Sequence, residues 1–209
     1  MLDISVWESI PATNRSWAFR KKIYGVGVTD VDFVTATIID GKQVVHPAAI
    51  SWRKMLASAY SDEHRPERPS QNTITVCNEW HLFSNFLSWW KLNYVDGWVL
   101  NKDLLTDSSV CSPLTCLYAP KWLHAILRSE QRGKLMPGVT ITSSGKFQAI
   151  CAIPKNGGGE YLGSFDTEID AHLAWMRRKL EHVLHLKADM DAIDARIYPR
   201  MTERIKTAR

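Results

Sequence analysis

Long apolar runs are missing from this chain of 209 residues. No segment approaches the roughly 20 consecutive apolar residues that cross a bilayer. Residues 1–5 lack the basic start and the apolar centre of a signal peptide. We therefore expect a cytoplasmic protein that has no membrane partner. Hydrophobic residues still make up 45% of the chain, which is enough for one compact domain or two small ones.

Cysteine is scarce, and its spacing is not that of a metal site. The chain has four cysteines, and only Cys111 and Cys116 are close in sequence; the others are Cys77 and Cys151. Because the tight pairs typical of zinc ligands are missing, the sequence favours reduced, mostly buried thiols over a zinc site.

Positive charge is in slight excess over the whole chain, and this excess is unevenly distributed. The net charge is +4. From Pro120 onward there are 15 Lys and Arg residues against 10 Asp and Glu residues, whereas the preceding part is nearly neutral. A basic C-terminal half fits a polyanionic partner, and solvated helix faces rich in Lys and Arg fit the same count.

The aromatic content is high, with nine tryptophans. Exposed rings can stack on nucleic-acid bases, but most of these residues fall at the spacing of a helix core. Pro47 is predicted to begin a helix that runs to about Tyr60. A second helix is predicted from Asn78 to about Tyr94, with a stripe that consists of Trp80, Phe83, Leu87 and Trp90.

The remaining parts of residues 1–128 give weaker signals. Residues 1–45 stay unassigned, apart from a short strand expected at residues 23–28 and a turn at residues 39–42. Residues 61–72 are expected to form a polar loop and residues 128–134 a linker. Polar residues 101–103 sit between apolar flanks, as if presented to a cleft, and Pro120 is expected to begin another helix.

Residues 137–180 are the most legible part of the chain. Alternation in residues 146–153 places Phe147, Ala149 and Cys151 on one face of a strand. Short apolar segments at residues 137–142 and 160–165 flank it across glycine-containing turns, so three antiparallel strands are expected. Thr167 then caps a long helix, which must cover one face of the sheet because a bare three-stranded sheet is only marginally stable. A further helix is expected at residues 189–198, stopped by Pro199 and followed by a basic tail.

The three strands and helix are similar to the plant-type Apetala/ethylene-response-factor DNA-binding domain. Four short stretches carry the resemblance: Gly138-Val139, Gly145 to Ala149, Tyr161 to Thr167, and Ala171 to Trp175. The resemblance implies that the sheet enters the major groove of double-stranded DNA. The contact residues that it implies here are Thr140, Thr142, Lys146, Gln148 and Lys155. Arginine is usual at the exposed strand positions of that family, so weaker and less specific binding is expected.

Upstream segments resemble bacteriophage HNH-type homing endonucleases, which often carry the same C-terminal module. The resemblance rests on residues 52–56, 76–80, 83–86, 100–105 and 112–116. It implies an α+β fold in which a degenerate ββα-metal unit precedes a three-stranded antiparallel sheet packed on one long helix. The expected domains are 1–45 unassigned, 46–128 HNH-like, 136–188 DNA-binding, and 189–209 a short helix and basic tail.

The nuclease resemblance also implies a metal site, with Mg²⁺ as the cofactor of an active enzyme. Asp103 and His124 are the candidate catalytic residues, and Asp103 and Asp107 the candidate metal ligands. Asn101 stands where related proteins carry an aspartate. A capping or surface role for Asp103 and a packing role for His124 are the competing interpretations. His182 and His185 are three residues apart and are able to bind a metal, although a solvated or partly buried pair is favoured.

Two functions remain in view. The first is a phage-type DNA-binding protein that resembles a homing endonuclease, with metal-dependent nicking as its activity where the site is intact. The second is an inactive nuclease derivative that binds a host protein or nucleoprotein complex. The sequence does not indicate an oligomeric state.

Overall fold

A computed structural model describes residues 4–61, 74–128, 135–155 and 157–208, so the predicted loop at residues 61–72 and the linker at 128–134 lie almost wholly outside the described residues. The helices are α1 (Ile4–Glu8), α2 (Asn14–Ala18), α3 (Pro47–Tyr60), α4 (Phe83–Asn93), α5 (Lys121–Arg128), α6 (Glu168–His185), α7 (Lys187–Asp191) and α8 (Ile197–Thr207). The strands are β1 (Ala36–Ile39), β2 (Lys42–Val45), β3 (Thr75–Val76), β4 (Val99–Asn101), β5 (Val110–Cys111), β6 (Leu117–Ala119), β7 (Val139–Ile141), β8 (Phe147–Ala152) and β9 (Gly159–Phe165).

The fold is α+β, and its strands form small sheets. The described strands pair as β1-β2, β3-β5, β4-β6 and β7-β8-β9. The chain divides into two compact units. Unit 1 is Met1–Tyr94 with Asp107–Leu117, and unit 2 is Val95–Thr106 with Tyr118–Arg209. Among the described residues, no helix is long and apolar enough to cross a membrane.

Unit 1 is built around an aromatic core between α3 and α4. The predicted stripe is buried as expected, because its four members all lie at or below 5% exposure: Trp80, Phe83, Leu87 and Trp90. Helix α3 begins at Pro47 and ends at Tyr60, as predicted. The turn at residues 39–42 is confirmed as the connection between β1 and β2, with positive φ at Asp40 and Gly41.

Two predictions in unit 1 were wrong in detail. Residues 78–94 do not form one helix: a 3-10 turn over Asn78–His81 is separated from α4 by the extended residue Leu82. Leu82 forms a parallel bridge with Val28, and this pairing between distant residues interrupts the helix. Residues 23–28 do not form a strand, because Tyr24 and Gly25 have positive φ and turn the chain so that Ile23 bridges to Gly27.

Unit 2 contains the predicted three-stranded antiparallel sheet, and α6 packs on it. Strand β8 lies at the centre, paired with β7 on one side and β9 on the other. The core beneath the sheet includes Val139, Ala149 and Ala171. Thr167 caps α6 as predicted: its hydroxyl accepts a hydrogen bond from the backbone N–H of Asp170 at 3.1 Å and donates to that residue's carboxylate at 2.6 Å.

The end of the chain differs from the prediction: residues 189–198 do not form one helix, because α7 ends at Asp191 and α8 begins at Ile197. Pro199 does not stop a helix; it lies in the first turn of α8, where the missing N–H has no helical acceptor to lose. Residues 200–207 are therefore helical, and the buried residues Ile197, Met201 and Ile205 form one apolar stripe. The basic residues predicted for an extended tail lie on a packed helix.

None of the four cysteines forms a disulfide. Cys111, Cys116 and Cys151 are buried and Cys77 is partly buried, which confirms the prediction that the thiols are mostly buried. Burial raises the pKa of Cys77 and of Cys151. Both thiols are therefore held in the protonated form, in which they behave as small apolar side chains.

Candidate functional site

A row of short polar side chains crosses the outward face of the sheet in unit 2. The register pairs Thr140 with Gln148 and Gln148 with Ser164. Ala149, the next residue along β8, is fully buried beneath the sheet. Because successive side chains of a strand alternate between faces, the row of Thr140, Gln148 and Ser164 lies on the face opposite α6.

Thr142 and Lys146 lie together at the hairpin turn that joins β7 and β8. The hydroxyl of Thr142 accepts a hydrogen bond from the backbone N–H of Lys146 at 3.0 Å and donates to its carbonyl at 3.1 Å. Thr142 is therefore a structural part of the turn. The ammonium of Lys146 lies 3.2 Å from the carboxylate of Asp166, and both side chains are mostly exposed, so this pair contributes little stability and separates easily.

Lys155 lies away from this row. Its ammonium is 2.5 Å from the carboxylate of Asp189 and 5.0 Å from the ring centre of Trp122. Of the five predicted contact residues, four are thus on or beside the outward face of the sheet, and Lys155 belongs to a different neighbourhood. The predicted glycine loop near Lys155 includes Asn156, which is outside the described residues.

Two residues of the outward face, Ser164 and Tyr161, were missed from the sequence, whereas alternation along β8 already places Ile150 on the face of Gln148. Ser164 completes the polar row, and Ile150 pairs with Tyr161 in the next position along the sheet. The side chains of Ile150 and Tyr161 are 39% and 60% exposed. The irregular register between Ala149 and Ile150 shifts the alternation of β9, and this shift hides the shared face from a simple period-two pattern.

Two side chains of α6 hold the start of β7 against the helix. The Nδ1 atom of His172 lies 2.9 Å from the carbonyl oxygen of Pro137 and donates its proton there. The ring of His172 is stacked on Trp175, with 5.3 Å between ring centres. Both side chains are buried. These contacts fix the start of β7 against α6 and so fix the position of Thr140.

A second set of predicted residues meets at the turn that follows β4. Asn101 is buried, and its Oδ1 accepts hydrogen bonds from the backbone N–H groups of Asp103 at 2.6 Å and Leu104 at 3.0 Å. Its Nδ2 lies 2.9 Å from Nδ1 and 3.1 Å from Nε2 of His124. Because Nδ2 only donates, the imidazole must offer an unprotonated nitrogen to it. The amide of Asn101 thus holds both the turn and the histidine.

Charged side chains surround the same turn. Lys102 places its ammonium 2.5 Å from the carboxylate of Asp103. Arg204 on α8 donates from Nη1 to the backbone carbonyl of Asp103 at 3.1 Å. The sequence prediction missed Arg204 because α8 was taken for a tail; the spacing of Ile197, Met201 and Ile205 is the signal that identifies a packed helix there.

Of the two predicted metal ligands, Asp103 belongs to unit 2 and Asp107 to unit 1. The candidate catalytic residue His124 belongs to unit 2. In the described part of the chain, no cluster of three or more His, Cys, Asp or Glu side chains is placed to hold a metal ion.

His182 and His185 have separate partners. His182 lies with Nε2 3.5 Å from the carboxylate of Glu160 and Nδ1 4.0 Å from the sulfur of Cys151. Burial, and next the charge of Arg178, lower the pKa of His182. The hydrogen bond from Arg178 to Glu160, 2.7 Å long, lowers the pKa of that carboxyl. His185 instead donates to the carbonyl of Glu181 at 2.8 Å.

Comparison with protein-family models, curated proteins and solved structures found no match to this chain.

Proposed function

We propose that this protein binds double-stranded DNA through the outward face of the sheet in unit 2. The observation that carries the proposal is the polar row of Thr140, Gln148 and Ser164, which spans three paired strands on the face opposite α6. A B-DNA major groove is about 12 Å wide and admits paired strands. Base edges there offer donors and acceptors to such side chains.

The chemistry of the row suits readout by amide and hydroxyl groups. Gln148 has one acceptor and two donors and can pair with the N6 and N7 edge of adenine, whereas serine and threonine hydroxyls pair with several bases. Lys146, at the edge of the face, is placed to reach a phosphate once Asp166 is displaced. With a single lysine beside the row, the affinity for duplex DNA should fall only slightly as salt rises, with a slope of about −1 in log K against log salt.

A gel-shift titration of the full chain on random-sequence duplex DNA tests the proposal. Gln148→Ala should weaken binding about tenfold, because a lost bidentate base contact is worth roughly 1–3 kcal/mol. Gln43→Ala is the matched control, because Gln43 is an exposed strand glutamine of unit 1. Equal affinity of the two variants would contradict the proposal.

We further propose that the HNH-like part, residues 46–128, descends from a ββα-metal nuclease and acts without catalysis. The side chains of Asn101 and Asp103 do not form a set of ligands that fits Mg²⁺. Both side-chain heteroatoms of Asn101 already serve the turn and His124, and the carboxylate of Asp103 is paired with Lys102. The ion prefers carboxylate oxygens in near-octahedral geometry.

Incubation of supercoiled DNA with the protein and Mg²⁺ or Mn²⁺ should give no nicking. Nicking that Asp103→Ala and His124→Ala both abolish would show an active nuclease.

A host protein is the second candidate partner, because two exposed apolar side chains share the outward face. Ile150 and Tyr161 lie opposite each other and extend the polar row with apolar surface. Such a mixed face also fits a protein surface. The two candidates separate in the same titration: a protein binder should show no duplex affinity even at low salt, whereas a DNA binder should show affinity that salt weakens.

A further inference from the structure

Unit 1 contains a cavity of about 490 Å³ that no predicted function uses. It lies between the α2 region, the turn at residues 23–29 and the start of β1, and Arg53 of α3 closes one side. Its volume is within the range of small-molecule sites, about 300–1,000 Å³. All the residues named here belong to the first 94 residues of the chain, so the cavity is internal to one unit.

The wall of the cavity is positively charged. Arg20, Lys21 and Arg53 line it, and no aspartate or glutamate is among the described residues that do so. The hydroxyl-bearing residues Thr29 and Thr35 also line it. Three cations facing one concave, partly enclosed space create a potential that attracts an anion.

Arg53 is held loosely for a partly buried arginine. Its Nη2 donates to the hydroxyl of Thr35 at 3.4 Å, a long hydrogen bond. Its Nε is buried and has no hydrogen-bond partner among the described residues. Few hydrogen bonds therefore hold this guanidinium, and an anion in the cavity that accepts from its terminal nitrogens would add charge-assisted hydrogen bonds.

Arg20, in contrast, is fixed and supplies a rigid cationic wall. It donates from Nη1 to the carbonyls of Thr29 at 3.0 Å and Val31 at 2.5 Å, and from Nη2 to that of Phe33 at 2.8 Å. Its guanidinium lies over the ring of Trp17 at 3.9 Å. Burial lowers the pKa of Arg20, with a partial offset from Asp30 and Asp32. A further anion nearby would favour the charged form in the same direction as these two aspartates.

Two exposed aromatic rings stand at the rim. Phe19 is 70% exposed and Tyr24 is 46% exposed, and both line the cavity. Tyr24 has φ of 50°, a left-handed conformation that costs a residue with a bulky side chain about 1–2 kcal/mol. Exposed aromatic rings beside arginine and lysine are the arrangement on which nucleic-acid bases stack.

We infer that this cavity binds a nucleoside monophosphate unit, with the phosphate at Lys21 and Arg53 and the base against Phe19 and Tyr24. The unit comes either as a free nucleotide or as an unpaired nucleotide of a single strand, which share this chemistry. The inference does not rest on the proposed function, because the sheet that is proposed to bind duplex DNA lies in the other unit.

Calorimetric titration of the full chain with adenosine monophosphate, adenosine and inorganic phosphate tests the inference. The monophosphate should bind more tightly than either part alone. Arg53→Gln should weaken it about tenfold, the value of one bidentate charged contact. Lys54→Gln is the matched control, because Lys54 is the exposed neighbour on the same helix and does not line the cavity.

A second pair of variants covers the case in which Arg53→Gln does not fold. Lys21 and Lys22 are both exposed, and only Lys21 lines the cavity. Lys21→Gln should weaken binding about threefold or more, and Lys22→Gln should leave it unchanged. Phe19→Ala should weaken binding of the monophosphate and leave binding of inorganic phosphate unchanged.

The source of the nucleotide is decided by a short single-stranded oligonucleotide. Tighter binding than the monophosphate, weakened by the same variants, assigns the site to an unpaired strand; equal or weaker binding assigns it to the free nucleotide. The inference is overturned if titration with millimolar adenosine monophosphate releases or absorbs no heat of binding. It is also overturned if Arg53→Gln and Lys21→Gln bind the monophosphate as tightly as the unchanged protein does, or if each control variant weakens binding as much as the variant with which it is paired.

Discussion

Gly138 lies directly against the ring of Trp175. A Cβ atom on Gly138 would stand 2.0 Å from Cδ1 of that indole, and the residue has φ of +78°. Glycine is therefore required here for two independent reasons: a side chain would clash, and the backbone conformation is one that other residues rarely adopt. The contact joins the start of β7 to α6 and sets how closely sheet and helix pack.

Gly138→Ala should destabilise unit 2 by more than about 3 kcal/mol, because the buried indole has no room to move in a packed core. Gly145→Ala is the control, since Gly145 has φ of +80° with nothing within 4 Å of its added Cβ. That change should cost only about 1 kcal/mol. Urea denaturation of both full-length variants measures the difference, and equal losses would contradict the role of Trp175.

Asn101→Ala should destabilise the protein by roughly 2–4 kcal/mol. The change removes the acceptor of two backbone N–H groups and the donor that meets His124. Asn93→Ala removes an exposed amide that donates to the carbonyl of Trp89, and it should change stability by less than about 0.5 kcal/mol. Thermal unfolding followed by circular dichroism compares them. A loss at Asn101 no larger than at Asn93 would disprove the structural role of this amide.

Acid should weaken unit 1 through His46. The imidazole is fully buried, its Nδ1 accepts from the backbone N–H of Ala48 at 3.1 Å, and its Nε2 has no hydrogen-bond partner among the described residues. Four aromatic rings surround it, those of Trp7, Phe33, Phe83 and Trp90. Burial lowers the pKa of His46 to about 4; the charge of Glu8 raises this pKa and that of Lys91 lowers it, each by less than burial does.

The folded pKa of His46 lies below the unfolded value of about 6.5, so the unfolded chain binds more protons between these two values. Stability should be full above about pH 6.5 and should fall as the pH drops towards 4, by roughly 3 kcal/mol in total. Urea denaturation across this range measures it. His46→Asn keeps an acceptor for Ala48 but cannot titrate, so its stability should fall less on acidification. An identical pH dependence of both proteins would rule out His46 as the cause.

Arg20→Lys should destabilise unit 1 by about 1–3 kcal/mol, even though the charge is kept. A lysine has a compact ammonium and cannot span the three carbonyls that the guanidinium joins, nor lie flat on Trp17. Arg15→Lys is the control, because Arg15 is exposed and only approaches the ring of Phe19 at 5.9 Å. Guanidinium-induced unfolding, followed by tryptophan fluorescence, should separate the two. Equal midpoints would show that Arg20 acts only through its charge.

Local signals were the most reliable guide to this fold. Pro47, the aromatic stripe of α4, the strands around β8 and the cap at Thr167 all act over a few residues, so the sequence alone places them. The errors arose where a distant partner decides the local structure. Val28 pairs with Leu82 and interrupts a predicted helix, and packing of Ile205 turns a predicted tail into a helix.

The candidate site was only partly predictable for the same reason. Thr140 and Gln148 are eight residues apart, and a hairpin turn between them fixes their pairing. Ser164 joins the row through its pairing with Gln148, whereas Tyr161, three residues away on β9, shares the outward face only because the register shifts between Ala149 and Ile150. The catalytic roles that the nuclease resemblance implies for Asp103, Asp107 and His124, and the DNA contacts proposed for the sheet, stay predictions, which the nicking assay and the gel-shift titration test.

By itself the sequence determined the α+β class, the strands and long helix predicted for residues 137–180, the aromatic core and the burial of most cysteines. These follow from side-chain periodicity, turn residues and caps, which are short-range properties of the chain. Only the tertiary structure decided that Asn101 holds His124, that Arg204 reaches the backbone of Asp103, that rings enclose His46 and that cations line a cavity in unit 1. Each of these contacts joins residues far apart in sequence, and their meeting depends on the packing of whole elements.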